Sequence, residues 1–388
     1  MSPKPILISG AGISSLLLAQ ALLRSSIPFQ IYERDPSIAF RGQGYRLRLA
    51  DEGLDAIESI LGPDYEDFYS ICGKTAGSGF SAYNATTGEQ TEHKVVETLQ
   101  TREDKVVGIA RGDMRNFLIR GCEGYIEWSK DVTAYKLMQD GVRAIFADGT
   151  HSVEGSMLIG GEGVRSYVAK QLSGGRLKVF DTLVRGVQGQ APTTAYKGLG
   201  EGVFRVRDET NPRGLVSVIT NVRSGDMHDP NIHFGWTMFG QAGVIKAPND
   251  DYAILGDQAA QVAQSLSADW HPRFKPLFDN MVKSEAAFWK VTCSSPNGVP
   301  EWPNQPRVTV LGDAVHCMTP AGGIGANTAV RDSAILGRLL AEAGGYKEGI
   351  TEAYEKQMRV YASEAVRTSY RMMDGMYHIG ELTVEVQV

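Results

Sequence analysis

The first thirty-three residues constrain this chain more than any other stretch. Ile6-Leu7-Ile8 reads as a short buried strand and Gly10-Ala11-Gly12 as a turn. Apolar positions then recur at helical spacing from Ile13 to Leu23, and Phe29-Gln30-Ile31-Tyr32 reads as a second strand ending at Glu33. Two strands joined through a helix make a βαβ unit, the signature of an α/β fold with a parallel sheet. The glycines stand where a dinucleotide site needs them. Gly10 permits the tight turn and Gly12 lets a pyrophosphate approach the backbone. The helix N-terminus, with Ser14 in its first turn, offers N–H groups and a positive dipole end. Ser15 replaces the third glycine of G-x-G-x-x-G, where helix packs on strand, and is small enough to fit. Glu33 falls 21 residues after Gly12, where a carboxylate can accept both hydroxyls of an unphosphorylated adenosine ribose, and Arg34 beside it is a further candidate. This fingerprint alone does not separate NAD from FAD.

Composition narrows the partners. Lys and Arg total 39 against 45 Asp and Glu, a net charge of -6, which supplies no basic field for nucleic acid. Cys72, Cys122, Cys293 and Cys317 are scattered without a CxxC pair, so neither a zinc site nor a disulfide framework is expected, and a reducing, cytoplasmic location is. The apolar run near Met1 is too short for a signal segment, and no stretch of about 18 apolar residues is present to span a bilayer.

The chain carries no repeat and no low-complexity linker, so two domains would have to be interleaved. Residues 125–172 read as a meander returning to the first sheet. Val308–Leu311 reads as another strand, followed by a glycine-rich loop and a long helix from about Gly325 to Ala343. Residues 65–105 and 176–290, rich in β-branched and aromatic residues, are expected to form a covering antiparallel sheet. The expected division is a discontinuous cofactor domain (1–64, 106–175, 291–345), a substrate-binding sheet domain (65–105, 176–290) and a C-terminal helical segment (346–388).

The most informative stretch is Gly312-Asp313-Ala314-Val315-His316-Cys317-Met318-Thr319-Pro320-Ala321-Gly322-Gly323-Ile324-Gly325-Ala326-Asn327. With its G-D pair and its P-x-G-G-x-G-x-N continuation, the chain resembles the class A flavoprotein monooxygenases, the single-component FAD enzymes related to 4-hydroxybenzoate and salicylate hydroxylases. The resemblance implies a Rossmann-like FAD domain interleaved with an antiparallel substrate domain. It implies that Asp313, after Gly312, holds the ribityl chain or a neighbouring phosphate. Pro320 would lie beside the reactive flavin edge, and the backbone from Gly323 through Gly325-Ala326-Asn327 would meet the pyrimidine ring. Arg111, in the segment ending at Leu118, resembles an arginine that approaches FAD phosphate or ribityl groups. In Gly44-Tyr45-Arg46-Leu47-Arg48-Leu49 either arginine could border the flavin, with Arg48 preferred. The family's D-G pair appears here as Gly160-Gly161-Glu162-Gly163, with Glu162 in place of aspartate.

The resemblance further implies reduction by NADPH or NADH bound transiently, formation of a C4a-hydroperoxide with O2, and insertion of one oxygen into a hydrophobic or aromatic small molecule. The chemistry would be hydroxylation, epoxidation or Baeyer–Villiger insertion, in natural-product tailoring. The flavin carries that chemistry, so no catalytic triad or metal cluster is expected, and no catalytic side chain is named. In Asn231–Phe239 alternation sets Ile232, Phe234, Trp236 and Met238 on one face, to line a pocket or fill a core, and Trp236 is the substrate-lining candidate. A reductase or desaturase of the same fold, or a non-catalytic FAD-binding protein, is the alternative. No sequence feature sets the oligomeric state.

Overall fold

A computed structural model describes residues 3–40, 46–75, 80–91, 107–222, 225–229 and 231–386. Gly44 and Tyr45, and much of the expected 65–105 segment, lie outside these residues. Five parallel strands form the first sheet, in the order Val308–Val310, Met157–Gly160, Ile6–Ser9, Phe29–Glu33 and Ile126–Trp128. Every residue of Ile6–Ser9 and Met157–Gly160 is buried, as strands covered on both faces require. Helix Ile13–Arg24 packs against helix Gly325–Ala343. A Cβ on Gly337 would stand 2.7 Å from the Ala21 Cβ, so that glycine sets how closely the two helices approach. A small antiparallel sheet, Arg46–Leu49, Val107–Ala110 and Gly73–Thr75, lies beside this unit.

The large sheet runs Ala287–Ser294, Val179–Pro192, His233–Gly240, Val216–Val222, Gly202–Asp208, Phe80–Asn84 and Gln90–Thr91, with Val384–Glu385 added beside Val179–Pro192. Its pairings are antiparallel except that Phe80–Asn84 runs parallel to Gly202–Asp208. One face buries Val187, Phe204, Val218, Phe234, Trp236 and Met238 against helices Asp257–Leu266 and Pro276–Asp279. The opposite face turns toward the glycine-rich loop after Pro320, whose Ala321 joins Phe239, Val291, Met373 and Tyr377 in a smaller cluster.

Two boundaries differ from those expected. Phe68 and Cys72 of helix Tyr65–Cys72 are buried in the core of the parallel-sheet unit, so the segment from residue 65 begins there and reaches the large sheet only at Phe80–Asn84. Helix Ile350–Tyr377 is no separate appendage. Ile350, Tyr354, Met358 and Ala362 fill the first core, while Met373 and Tyr377 pack beneath the large sheet.

Candidate functional site

The glycine turn is fixed by its neighbours. Gly10 adopts φ +88°, and a Cβ there would meet the Gly161 carbonyl oxygen at 2.6 Å. The Gly161 amide donates to Ser9 O at 2.8 Å, and the Gly10 amide to Tyr32 O at 2.7 Å, so three strand ends meet at this turn. Gly12 differs: its backbone is extended, and the nearest atom to a Cβ built there, again Gly161 O, is 3.9 Å away. The helix it opens has no side-chain cap, which leaves its first N–H groups to whatever occupies that open ground. Ser15 is fully buried, and a Cβ on Gly161 would run into its hydroxyl. The glycine missing at position 15 is thus supplied by the facing strand end.

Glu33 is buried and oriented by backbone. Its Oε2 accepts from the Ala11 amide at 2.6 Å and its Oε1 from the Asp35 amide at 2.9 Å, while Arg34 is exposed. The Arg111 charge acts on Asp313, drawing two chemistry-bearing segments together. Sequence reasoning missed Arg115, one helical turn further along. It is buried and donates to Ala11 O at 3.2 Å and Ile38 O at 3.3 Å, clamping the glycine turn. The i, i+4 spacing from Arg111 was the available signal.

Gly312 adopts φ +63°, and a Cβ there would lie 2.8 Å from the Ser14 hydroxyl, which binds the G-D pair to the first helix. Asp313 presents outward, yet the protein crowding it pushes its carboxyl up against the opposing pull of His316 and Arg111. Beneath it lies a buried hub. Asp332 accepts from the Gly312 amide at 2.7 Å and the Tyr361 hydroxyl at 2.6 Å, and pairs with His316 Nε2 at 2.7 Å. Burial disfavours the charged imidazole, but the Asp332 carboxylate outweighs it and the His316 pKa is raised.

After Pro320, Gly322 and Gly323 take φ +80° and +66°, and Gly323 N donates to Pro320 O at 3.1 Å. The helix from Gly325 through Ala326 starts without a side-chain cap. Asn327 is buried and inward-facing: Oδ1 accepts from the Ala50 amide at 3.0 Å, and Nδ2 donates to Arg48 O at 3.0 Å and Gly323 O at 3.1 Å. Its carboxamide therefore ties the loop to the strand bearing half-buried Arg48. The side chain of Arg46 lies outside the description. Glu162 also turns inward. It accepts from the Ser166 hydroxyl at 2.8 Å and the Val168 amide at 3.2 Å, at the start of helix Tyr167–Ser173, and desolvation raises its pKa to about 7.

The structure corrects one candidate. Trp236 is 1% exposed, donates its indole N–H to Leu277 O at 3.1 Å and sits edge-on to Phe278, on the sheet face turned away from the Pro320 loop. The facing side mixes polar groups with the smaller apolar cluster around Phe239. Gln188 pairs with Thr237, Thr237 with Ile219, and Ile219 with Arg205, while the Ser217 hydroxyl bonds the Tyr377 hydroxyl nearby. Phe234, Trp236 and Met238 of the apolar stripe are core, and the alternate side of the strand, with Thr237 and Phe239, faces the loop.

The FAD binding domain family matches residues 267–369. The chain is 31% identical over 385 residues to the dual O-methyltransferase/FAD-dependent monooxygenase elcB of Phaeosphaeria nodorum, covering 89% of this chain and 41% of that protein. It is 26% identical over 400 residues to the FAD-dependent monooxygenase thnD of Trichoderma harzianum, covering 95% and 93%. The chain thus spans about two-fifths of the length of the first curated relatives it matches. Among solved structures, a salicylate hydroxylase substrate complex superposes with a TM-score of 0.72 at 19% identity, over 97% of this chain and 89% of that one.

Proposed function

We propose that the chain is an FAD-dependent monooxygenase, as its likeness to the FAD binding domain family and to elcB and thnD supports, and that it uses NAD(P)H and O2 to insert one oxygen atom into a small ring-bearing molecule, as a tailoring step in natural-product biosynthesis. The carrying observation is the Pro320–Asn327 loop, held by Asn327 against the strand of Arg48 and packed through Ala321 beneath the large sheet.

The residues present fit an FAD. Gly12 has open ground over an uncapped helix start, and Glu33 is anchored by backbone at the end of the second strand. Gly10, Gly12, Ser14 and Ser15 would hold the pyrophosphate, Glu33 the ribose with Arg34 at its rim, and Arg111 with Gly312-Asp313 the ribityl and phosphate region. Pro320, Gly323, Gly325, Ala326, Asn327 and Arg48 would border the ring. Glu162 supports this region by holding its own loop and helix start. When bound, the flavin supplies the two-electron chemistry and the activation of O2. The chain's part is orientation and exclusion of water. The helix beginning at Gly325 directs its N-terminal dipole where negative charge is best accommodated, and the sheet covers the loop.

Among the described residues no helix is long and apolar enough to cross a membrane. The test is a visible spectrum of the purified protein, then anaerobic NADPH and NADH titrations with and without ring compounds, then O2 uptake with product mass. Flavin absorbance that bleaches faster with one compound, with an oxygen atom gained by that compound, is the expected result. Bleaching without oxygen transfer would favour a reductase or desaturase. Flavin that never bleaches would favour a non-catalytic FAD protein.

A further inference from the structure

Strand Val216–Val222 places Val216, Val218 and Val222 in the apolar core, so Ser217, Ile219 and Asn221 face the Pro320 loop side. Asn221 is 8% exposed, and neither its Oδ1 nor its Nδ2 has a hydrogen-bond partner among the described residues. A buried carboxamide with both ends unmet costs folding free energy, and an apolar residue of the same size would not. Its surroundings place it at the site. A Cβ on Gly108 would lie 2.9 Å from Asn221 Nδ2, Gly108 pairs with Arg48, and the Arg48 carbonyl holds Asn327 of the loop.

On the other side, Thr220 pairs with Trp236, and continuation of that register sets Asn221 beside Gly235, which pairs in turn with Gln190. Two carboxamides thus flank a half-buried glycine. Resting on the monooxygenase reading for the site itself, we propose that Asn221 is the residue that selects the substrate ring. Its carboxamide reads a ring edge carrying a hydrogen-bond donor next to an acceptor, as on the N–H/C=O edge of a lactam, and so prefers polar-edged rings to rings lacking the donor. Both amide atoms are closed to solvent, so meeting a ring edge requires the Asn221 side chain to turn toward it.

The probes are 2-quinolone and coumarin, which share shape and carbonyl but differ by N–H against O. Affinity for the FAD-loaded protein is read by calorimetric titration, and stability by thermal unfolding. The wild type is expected to bind 2-quinolone at least about tenfold more tightly than coumarin, the equivalent of one good hydrogen bond. Asn221→Leu should erase that ratio, leave coumarin affinity within about twofold and melt no lower, because an unmet amide has been removed. Asn221→Asp keeps the acceptor that meets the ring N–H and loses only the donor to the carbonyl that both probes share, so it should weaken both probes while keeping or widening the ratio, and it serves if the leucine variant does not fold. Equal or absent binding of the two probes by the wild type would overturn the proposal. So would a preserved ratio in the leucine variant, a ratio lost in the aspartate variant, or a leucine variant that melts several degrees lower while binding FAD normally. A protein that prefers 2-quinolone through Asn221 yet transfers no oxygen would sink the monooxygenase reading and leave this one standing.

Discussion

At the scale of single residues, the two glycines of the first turn do different work and should fail differently. Gly10 is pinned by left-handed backbone and by the Gly161 carbonyl 2.6 Å from where its Cβ would be. Gly10→Ala is therefore expected to destabilise the apoprotein by about 1–3 kcal/mol. Gly12 has extended backbone, and among the described residues, its chain neighbours aside, no atom lies nearer than 3.9 Å to a Cβ built there. Gly12→Val should melt like the wild type, within about 0.5 kcal/mol, while its FAD affinity, read by flavin fluorescence quenching, falls at least about a hundredfold. Undiminished FAD binding by that variant would mean that no pyrophosphate sits on this turn. Asn327 combines both roles. Asn327→Ala strips partners from the Ala50 amide and from the Arg48 and Gly323 carbonyls. A loss of about 2–3 kcal/mol in urea unfolding is expected, with FAD affinity falling too. An unchanged midpoint would refute the brace.

At the scale of elements, Glu162 couples the end of strand Met157–Gly160 to the start of helix Tyr167–Ser173 through Ser166 and Val168. Its pKa is raised from 4.5 to about 7, chiefly by desolvation, so the folded protein holds a proton that the unfolded chain has released. The stability this group contributes is complete below pH 4.5, declines as pH rises toward 7 and is flat above. Glu162→Gln removes the titration, so the variant should gain on the wild type between pH 5 and 7.5 in apoprotein melting curves. Parallel curves would show that the carboxyl titrates normally.

The same elements show where the sequence was readable. The glycine turn, Glu33 and the Gly312–Asn327 block were legible because local backbone needs fix those residue types at short spacing. Arg115 was not, because its partner, Ala11 O, lies on another element. Nor was Gly161, whose bare Cα makes room for the Ser15 hydroxyl across the sheet. Trp236 misled for a different reason. Alternation identifies two faces of strand His233–Gly240 but not which one meets helices Asp257–Leu266 and Pro276–Asp279, and the apolar face went to them. Burying large apolar side chains away from water favours that choice, leaving the other face to the Pro320 loop.

At the scale of the whole molecule, helix Ile350–Tyr377 decides whether the parallel-sheet unit and the large sheet behave as one. Its 28 residues run about 42 Å. Near its start the Tyr354 hydroxyl donates to Val310 O at 3.1 Å, and Tyr361 reaches the Asp332 hub. Further on, Thr319 Oγ1 donates to Ser369 O at 2.9 Å and Ser369 Oγ to Thr319 O at 2.7 Å, one residue before Pro320. At its end Tyr377 bonds Ser217 of the sheet. Because one rigid element touches the parallel sheet, the Pro320 loop and the large sheet, FAD binding on the proposed site should stabilise all three. At about a hundred times its Kd the cofactor adds about 2.7 kcal/mol, and calorimetry should show a single transition at which flavin fluorescence is also released. Ser369→Val breaks the link at the loop. In that variant flavin release should precede sheet unfolding, and the FAD-induced rise in melting temperature should shrink. Two separate transitions in the wild type, or coincident release in the variant, would show that the coupling runs elsewhere than through this helix.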